Sequence, residues 1–437
     1  MHEACSDNRT WQAARSIALC VPLLLIVGLS RPALAAPGDL DNSFSNDGKV
    51  TTLMGSSGIG HAGVAQSVAI QSDGKIVAAG QVGGGNTERF ALARYKINGN
   101  LDNSFSGDGK VTTPFGSLAG ATSVAIQTDG KIVAAGWKLS GSNTRFALAR
   151  YKINGNLDNS FSGDGKVTTP IGSNSSAASV AIQSDGMIVV AGSALISNNT
   201  RFALARYQTN GNLDPTFGSN GKVHTPIGLA AEARSVAIQT DGMIVVAGYS
   251  TGVSNSRFAV ARYQTTGLLD PTFASNGKVT TPFGSPSIAS AASVAIQTDG
   301  RIVAAGYSGS GSNSRFALAR YLTTGALDTT FAGNGKVTTT LGPYSEGTSL
   351  AIQPSDGKIV AAGNAIQANK GVFAVARYDP TTGGLDTSFG NAGKVKTLIG
   401  SSAYAASIAI QANGRIVVAG QGSTGNHFRF AVARYLN

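Results

Sequence analysis

The feature that most constrains this chain is an internal repeat that occurs seven times, with units spaced 56–61 residues apart. Two independent markers count the same number of units. The dipeptide Leu-Asp begins at Leu40, Leu101, Leu157, Leu213, Leu269, Leu327 and Leu385, and Arg-Tyr begins at Arg94, Arg150, Arg206, Arg262, Arg320, Arg377 and Arg434. One such unit cannot bury its apolar residues alone, so neighbouring units must pack on each other. The fold is therefore an array of seven similar modules.

Each unit contains four segments with the pattern of a β-strand, which we name A to D. In the second unit these are residues 123–127, 131–136, 145–151 and 165–169. Large and small apolar residues alternate along them, and an Asp-Gly pair between A and B is typical of a tight hairpin. A four-stranded antiparallel meander repeated seven times predicts an all-β fold, a seven-bladed β-propeller of four-stranded blades.

The two ends of the array predict how the ring closes. Residues 48–52 have the sequence of a D strand, although no A, B or C strand precedes them. The chain ends at residues 430–435 with a C strand that has no D strand after it. We expect the N-terminal outer strand to complete the last blade, which leaves no open sheet edge at the junction.

The first 35 residues differ from the repeats and resemble a secretory signal peptide. Arginines precede an unbroken apolar run at 17–29, and small residues follow up to Ala35. This pattern predicts cleavage after Ala35 and a mature chain, 36–437, that forms a single propeller domain. The mature protein would then be periplasmic, on the cell surface or extracellular. An uncleaved membrane anchor is the alternative.

The repeat motif resembles that of a known family. It reads Leu-Asp-x-x-Phe-x-x-x-Gly-Lys-Val, then Ala-Ile-Gln-x-Asp-Gly-Lys-Ile-Val-x-Ala-Gly, then Phe-Ala-x-Ala-Arg-Tyr, from about residue 39 to the end. Single units depart from it at Met187, Met243, Val372 and Asn413. The pattern is similar to the bacterial delta-sixty repeat family of β-propellers, whose function is unassigned. The resemblance implies a secreted or surface propeller and carries over no catalytic residues.

The formal net charge of +11 comes mainly from residues that recur in every unit. A residue needed in each blade is expected to hold the blade together, and we expect each Arg-Tyr arginine to bind a carboxylate or carbonyl near the Leu-Asp turn. Charge spread evenly around a ring, without a cluster of basic and aromatic residues, argues against a specific nucleic-acid partner.

Calcium is the one cofactor that the repeats suggest, at the oxygen-rich turn between Asp158 and Asp164. The spacing is not that of an EF-hand, and Asn220 and Asn334 replace the second aspartate in other units. Hydrogen-bonded turns explain the same residue types. We therefore expect no cofactor, with calcium as the open alternative.

Function is expected where the units differ, in the B–C loops and the D–A connections. Both leave the same end of the sheet and should form one face of the disc, which we call the variable face; the A–B and C–D turns form the constant face. Exposed aromatic rings there would bind a ligand. The candidate ligand-binding residues are Trp137, Tyr249, Tyr307, Phe115 and Phe283, and Tyr344 and Tyr404 occupy later connections. Alternatively, these rings pack locally over the blade rims.

Catalytic residues are sparse. The mature chain has three glutamates, Glu88, Glu232 and Glu346, in separate blades. Two of its histidines, His61 and His427, are expected to be neighbours. No nucleophile elbow, phosphate loop or metalloprotease helix is present. The sequence favours an exported, non-catalytic scaffold that recognises a glycan or a protein. The alternatives are a hydrolase or lyase with its site at the channel mouth, and a purely structural surface protein.

Overall fold

A computed structural model of the chain describes residues 35–55, 62–84, 87–285, 287–425 and 427–437. The predicted signal peptide therefore lies, apart from Ala35, outside the described residues. The compact unit Ala36–Asn437 is built from seven four-stranded antiparallel sheets. Over the described ranges, the helical structure is one short turn, Gly311–Asn313, and no helix there is long and apolar enough to cross a membrane.

The 28 strands follow the predicted A–B–C–D order. The A strands are β2 Ala62–Ile70, β6 Ala119–Ile126, β10 Ser175–Ile182, β14 Ala230–Ile238, β18 Ala289–Ile296, β22 Ser345–Ile352 and β26 Ala403–Ile410. The B strands are β3 Ile76–Gly83, β7 Ile132–Ser140, β11 Ile188–Ile196, β15 Ile244–Thr251, β19 Ile302–Ser308, β23 Ile359–Gln367 and β27 Ile416–Thr424. The C strands are β4 Arg89–Tyr95, β8 Asn143–Tyr151, β12 Asn199–Tyr207, β16 Ser256–Tyr263, β20 Arg315–Tyr321, β24 Lys370–Tyr378 and β28 His427–Tyr435. The D strands are β5 Lys110–Thr113, β9 Lys166–Thr169, β13 Lys222–Thr225, β17 Lys278–Thr281, β21 Lys336–Thr339, β25 Lys394–Thr397 and β1 Lys49–Thr52.

Blades 1 to 6 are numbered by their A strands, β2 to β22, and each is continuous in sequence. Every A strand contacts the A strands of the two neighbouring blades, so the seven A strands surround a central channel. The D strands lie at the opposite edge of each sheet and form the outer wall. This arrangement confirms the predicted seven-bladed propeller.

Blade 7 combines both ends of the chain. Its sheet has the order β1-β28-β27-β26, with Lys49 opposite Ala433 and Thr52 opposite Phe430. A further bridge joins Leu40 to Tyr435. The N-terminal strand therefore covers the edge of the last C strand, which confirms the predicted closure.

The core lies between the blades, where large side chains of one sheet meet small side chains of the next. Phe146 and Leu148 of blade 2 are fully buried and belong to the same apolar cluster as Ala203 and Ala205 of blade 3. Each such large side chain contributes about 1.5–3 kcal/mol on burial. The alternation of large and small residues in strand C thus fixes how the blades stack.

The tyrosine of each Arg-Tyr pair is fully buried and joins two blades. Tyr95 in blade 1 donates a hydrogen bond to the Thr52 hydroxyl in the closing strand, at 2.8 Å. Equivalent tyrosine–threonine bonds occur at the other six junctions. Burial raises the pKa of these tyrosines, so the hydroxyls stay protonated.

The repeated arginine binds the Leu-Asp turn, as the sequence predicts. Arg150 donates from Nε to Asp158 at 2.9 Å and from Nη2 to Ser160 at 3.1 Å, and its Nη1 donates to the carbonyl of Thr209 in the next blade. Its guanidinium also lies 4.6 Å from the ring centre of Phe161. The equivalent arginine–aspartate pair is present in all seven blades, so these charges hold the scaffold together.

Each A strand contains a β-bulge near the channel. In blade 2 the pairing register shifts between Ala121 and Ser123, which leaves Thr122 as the extra residue. The N–H of Val124 then donates to the Ser67 hydroxyl of the preceding blade at 3.1 Å. The same serine bond recurs at every junction and closes the ring between Val68 and Ser407. A bulge re-aims side chains, and here it sets which residues face the channel.

Candidate functional site at the channel mouth

A cavity of about 480 Å³ occupies the mouth of the channel on the variable face. All seven A strands contribute to its lining, together with one residue from each of three B strands: Ser193, Asn364 and Gln421. Most of the lining consists of small residues. The larger polar side chains come from blades 4, 6, 7 and 1, whereas blades 2, 3 and 5 contribute only small ones. They are Glu232, Arg234, Asn364, Tyr404, Gln421 and Gln66. The cavity is therefore chemically one-sided, although the scaffold is nearly sevenfold.

Arg234 is in this cavity because it is the bulged residue of β14. The corresponding positions in the other blades carry glutamine, threonine or alanine. Arg234 donates from Nη2 to Glu232 at 2.8 Å, and about a third to a half of each side chain is exposed. An exposed pair of this kind contributes about 0–1 kcal/mol to stability. The pair therefore adds little to the fold and remains accessible to a ligand.

Tyr249 lies directly opposite Glu232 in the sheet, and the Arg234 guanidinium lies 5.5 Å from its ring centre. Burial and the Glu232 charge together raise the pKa of Tyr249. Tyr307 in blade 5 is also half-buried, and burial followed by the charge of Glu346 raises its pKa. Tyr249 and Tyr307 are therefore protonated hydrogen-bond donors at neutral pH.

Glu346 occupies in blade 6 the position that Glu232 occupies in blade 4. The Ser314 hydroxyl donates to Glu346 at 3.4 Å, and burial followed by a hydrogen bond to Glu346 raises the pKa of Tyr344. Opposite Glu346, the Asn364 Oδ1 atom is buried and has no hydrogen-bond partner among the described residues. An acceptor is thus left available beside the cavity.

These residues form one group across four adjacent blades, which we call the tyrosine–glutamate cluster. Its members are Glu232, Arg234, Tyr249, Tyr307, Tyr344, Glu346 and Tyr404. The cluster offers aromatic faces, hydroxyl donors, carboxylate acceptors and one guanidinium. It has no histidine among the residues that the structure describes.

The structure brings two of the five predicted aromatic residues into this cluster, Tyr249 and Tyr307. Trp137 is half-buried in blade 2. Its indole nitrogen packs so close to Gly120 that a Cβ atom at that position would lie only 3.0 Å away. The two phenylalanines pack inward.

Phe115 is 7% exposed and stacks on Phe90 with ring centres 4.7 Å apart. Phe283 contacts Phe258 in the same way. Phe115 and Phe283 therefore fit the alternative hypothesis, in which the rings pack locally over the blade rims. A ligand-binding role for the five residues stays a prediction, and the structure makes the two tyrosines the stronger candidates.

Two further candidate catalytic residues, Glu88 and His427, do not line the cavity. Glu88 precedes strand β4, and its backbone carbonyl accepts a hydrogen bond from Ala119. His427 is exposed at the start of β28, and His61 lies outside the described residues. The expected proximity of the two histidines therefore stays a prediction.

The oxygen-rich turn in blade 2 uses its carboxylates for local hydrogen bonds. Asp158 accepts from the N–H and the hydroxyl of Ser160, and Asp164 accepts from the N–H of Lys166 at 2.9 Å. Across the described ranges, no three His, Cys, Asp or Glu side chains come close enough to hold a metal ion. The question of calcium binding stays open.

Two members of the site, Arg234 and Asn364, were not predicted from the sequence. The available signal is that each stands alone at a position that other blades fill with different residues. Single-blade departures from the repeat are therefore a second sequence signal for cavity residues, beside aromatic character.

Comparisons with known proteins return only distant structural similarities. No curated protein sequence matches the chain. The alignment with the extracellular domain of BT4673 from B. thetaiotaomicron has 14% identity and a TM-score of 0.43. It covers 87% of this chain and 39% of that chain. It matches Sqt1 from Chaetomium thermophilum at 11% identity and a TM-score of 0.45, with 86% and 97% of the two chains covered. It matches the polysaccharide lyase Uly1 at 11% identity and a TM-score of 0.49, with 85% of this chain and 90% of that chain covered. These likenesses are too distant to bear on function.

A family model gives the sequence-level match. The model described as "Domain of unknown function (DUF5122) beta-propeller" matches residues 71–105, 127–161, 183–217, 239–273, 297–331, 355–389 and 411–437. The segments recur once in each blade and together cover more than half of the chain. The narrower resemblance to delta-sixty repeats stays a prediction. The chain belongs to the DUF5122 beta-propeller family.

Proposed function

We propose that this protein is an exported, non-catalytic binding scaffold that holds a glycan at the variable-face mouth of its channel. The observation that carries the proposal is that Glu232, Arg234 and Tyr404 line one side of a cavity of about 480 Å³. The other members of the tyrosine–glutamate cluster lie beside these three residues. The scaffold around it is a closed, nearly sevenfold ring. A rigid ring with one distinctive sector is suited to orient a ligand.

The chemistry of the cluster matches that of a sugar. The apolar face of a pyranose ring packs on aromatic side chains, and its hydroxyls exchange hydrogen bonds with carboxylates and amides. Tyr249 and Tyr307 supply the rings, and Glu346 supplies an acceptor. The buried, unpaired Oδ1 of Asn364 would accept a hydrogen bond from a sugar hydroxyl. A protein loop is the other ligand class that the sequence suggests, and it would use the same groups.

The electrostatics favour binding over catalysis. A general base works best when its pKa lies near the working pH, and the cluster tyrosines have raised pKa values. Glu232 is held in an ion pair with Arg234. A hydrolase or lyase at the channel mouth remains the competing hypothesis, and the same experiment separates the two.

The test is a glycan array probed with the purified protein, followed by titration calorimetry on the best ligand. We expect Tyr307→Ala and Asn364→Ala to weaken binding at least tenfold. Ser193→Ala is the matched control, because Ser193 lines the same cavity at the position equivalent to Asn364 but lies in blade 3. It should bind as the wild type does.

Two results would contradict the proposal. The first is the absence of glycan binding, or equal binding by all three variants. The second is release of new reducing ends from a bound polysaccharide that Glu346→Gln abolishes, because this would show a catalytic carboxylate.

A further inference from the structure

The outer wall contains a groove between neighbouring blades, lined by strand D of one blade and the end of strand D of the preceding one. The groove between blades 7 and 1 has a volume of about 510 Å³ and includes Met54, Arg89 and Lys110. The groove between blades 5 and 6 has a volume of about 500 Å³ and includes Leu341, Lys394 and Lys396. The two occupy equivalent places in the repeat, far from the channel mouth.

Every groove position carries two cationic side chains. The first is the lysine that begins each D strand: Lys49, Lys110, Lys166, Lys222, Lys278, Lys336 and Lys394. The second is an arginine near the start of strand C: Arg89, Arg145, Arg201, Arg257, Arg315 and Arg429. These arginines share a sheet face with the strand-C alanines that pack on the preceding blade.

Blade 6 departs from this pattern in a way that preserves the charge. Val372 replaces the strand-C arginine and is buried. In blade 3 the equivalent Arg201 lies 3.5 Å from His224 on strand D. The residue of blade 6 that corresponds to His224 is Lys396, where the other blades have threonine or histidine. A cation is therefore placed in the groove by a different strand.

The strand-C arginines are not used to hold the blades, unlike the Arg-Tyr arginines on the same strands. Arg150 is saturated by protein partners, whereas Arg145 makes one long hydrogen bond, to the carbonyl of Gly172 at 3.3 Å. Within the described ranges, no side-chain hydrogen bond or ion pair is formed by Arg89, Arg257, Arg315 or Arg429.

Two of these arginines also bury a donor that nothing satisfies. The Nε atoms of Arg201 and Arg429 are buried and have no hydrogen-bond partner among the described residues. A buried donor without a partner is destabilising, so the fold does not satisfy these two guanidinium groups.

Few carboxylates offset this charge. Asp47, Asp108 and Asp164 pair with the groove lysines at 3.3–3.5 Å in three blades. The equivalent residues of blades 3 to 6 are Asn220, Asn276, Asn334 and Ala392. Fourteen cations and three carboxylates leave an excess of eleven positive charges, against +10 for residues 36–437 as a whole. The grooves thus account for the basic character of the protein.

We infer that this ring of grooves binds a flexible acidic polysaccharide along the outer wall. A linear polymer with regularly spaced carboxylates or sulfates meets equivalent cations in successive blades, and the binding is electrostatic. Nucleic acid fits less well. The aromatic rings beside the grooves, Phe115 and Phe283, are engaged in packing and leave no stacking platform for bases. Duplex DNA is also stiff over about 150 base pairs and resists wrapping a small disc.

The probe for the test is polygalacturonate, a linear polymer with one carboxylate per sugar, titrated into the protein at a series of salt concentrations. We expect binding that weakens steadily as salt rises. The variant Arg89→Gln/Arg257→Gln/Arg315→Gln should bind at least tenfold more weakly. The control Lys75→Gln/Lys96→Gln/Lys152→Gln removes three charges at the turns of the constant face, outside the grooves, and should change binding less than twofold.

Thermal melting of both triple variants verifies that they are folded. Equal loss of affinity in both variants would overturn the inference, because net charge alone would then explain binding. Equal affinity for uncharged dextran, tighter binding of single-stranded DNA, or no binding at low salt would also overturn it. Tyr307→Ala should leave polygalacturonate binding unchanged, which separates this surface from the channel-mouth site.

Discussion

The ion pair that anchors the N-terminal segment offers a direct test of the ring closure. Asp41 accepts a hydrogen bond from Arg434 at 2.9 Å, although the two residues lie at opposite ends of the chain. Asp158 makes the same contact with Arg150, but both belong to one continuous blade. Replacing either aspartate by alanine removes the bond to the Arg-Tyr arginine in two different topological settings. Asp41 also loses a bond from Arg415, and Asp158 loses a 3.9 Å ion pair with Lys131.

The size of the effect follows from burial. Arg434 is 1% exposed and also donates to Ser43 and to the carbonyl of Ile97. Removing one partner of a buried ion pair leaves an uncompensated charge and costs about 3–5 kcal/mol. This is a large fraction of the net stability of a typical domain, which is about 5–15 kcal/mol. In blade 2 the whole penalty must fall on global unfolding, because Asp158 has strands on both sides.

In blade 7 the same substitution can be relieved by local unfolding, which costs less free energy than global unfolding. The segment before β2 forms the outer edge of blade 7 through β1 and the Leu40 bridge, with single hydrogen bonds such as Ser45 to Asn98 and Tyr95 to Thr52 to blade 1. It supplies no strand to blades 1 to 6, so it can detach while they stay folded. We therefore expect Asp41→Ala to lower the urea midpoint less than Asp158→Ala does. It should also speed proteolysis between residues 36 and 61 and promote oligomers through the uncovered edge of β28.

The assays are urea denaturation, limited proteolysis with mass spectrometry, and size-exclusion chromatography. Asp158→Ala serves as the control, since its N-terminal segment should be cut at the wild-type rate. Equal proteolysis of the N-terminal segment in both variants would refute the reasoning, because strand β1 would then not depend on Asp41 for its attachment.

Two further predictions concern the serine ring and acid stability. Ser67→Ala removes the acceptor for the N–H of Val124, and we expect a loss of about 1–3 kcal/mol together with faster hydrogen exchange at that amide; unchanged exchange would contradict the assignment. Burial acts to raise the pKa of Asp386, but hydrogen bonds from Ser388 and Lys358 outweigh it and lower that pKa to about 2. Because the folded pKa lies below the unfolded value, this group stabilises the protein above about pH 4 and its contribution is lost as the pH falls through about 2. Urea melts from pH 5 to pH 2 should show this decline, and Asp386→Asn should flatten it; an identical slope in the variant would count against the prediction.

The repeat made the scaffold predictable, because each structural element appears seven times with the same alternation. The alternation of Phe146 and Leu148 with small residues defined the stacking, and the orphan strand at 49–52 defined the closure. Each of these depends on local pattern and on burial, which the sequence displays directly.

The site was less predictable, because it depends on exceptions and on distances across the ring. The bulge before Ser235 shifts the strand by one residue and turns Arg234 toward the channel, and nothing in the alternation marks that shift. Phe115 and Tyr344 both follow a D strand, yet one is buried against Phe90 and the other approaches Glu346. The size and polarity of a loop side chain do not determine whether that side chain packs into the blade or points toward the channel mouth.

The serine bonds around the channel have a consequence for how such a chain is organised. Every blade donates one of these bonds to the blade before it and accepts one from the blade after it, and the junction between blades 7 and 1 is no exception. No junction is chemically marked as the beginning or the end. A circularly permuted gene that starts at any D strand would therefore encode a chain able to seal in the same manner, with its termini moved to another sector of the disc.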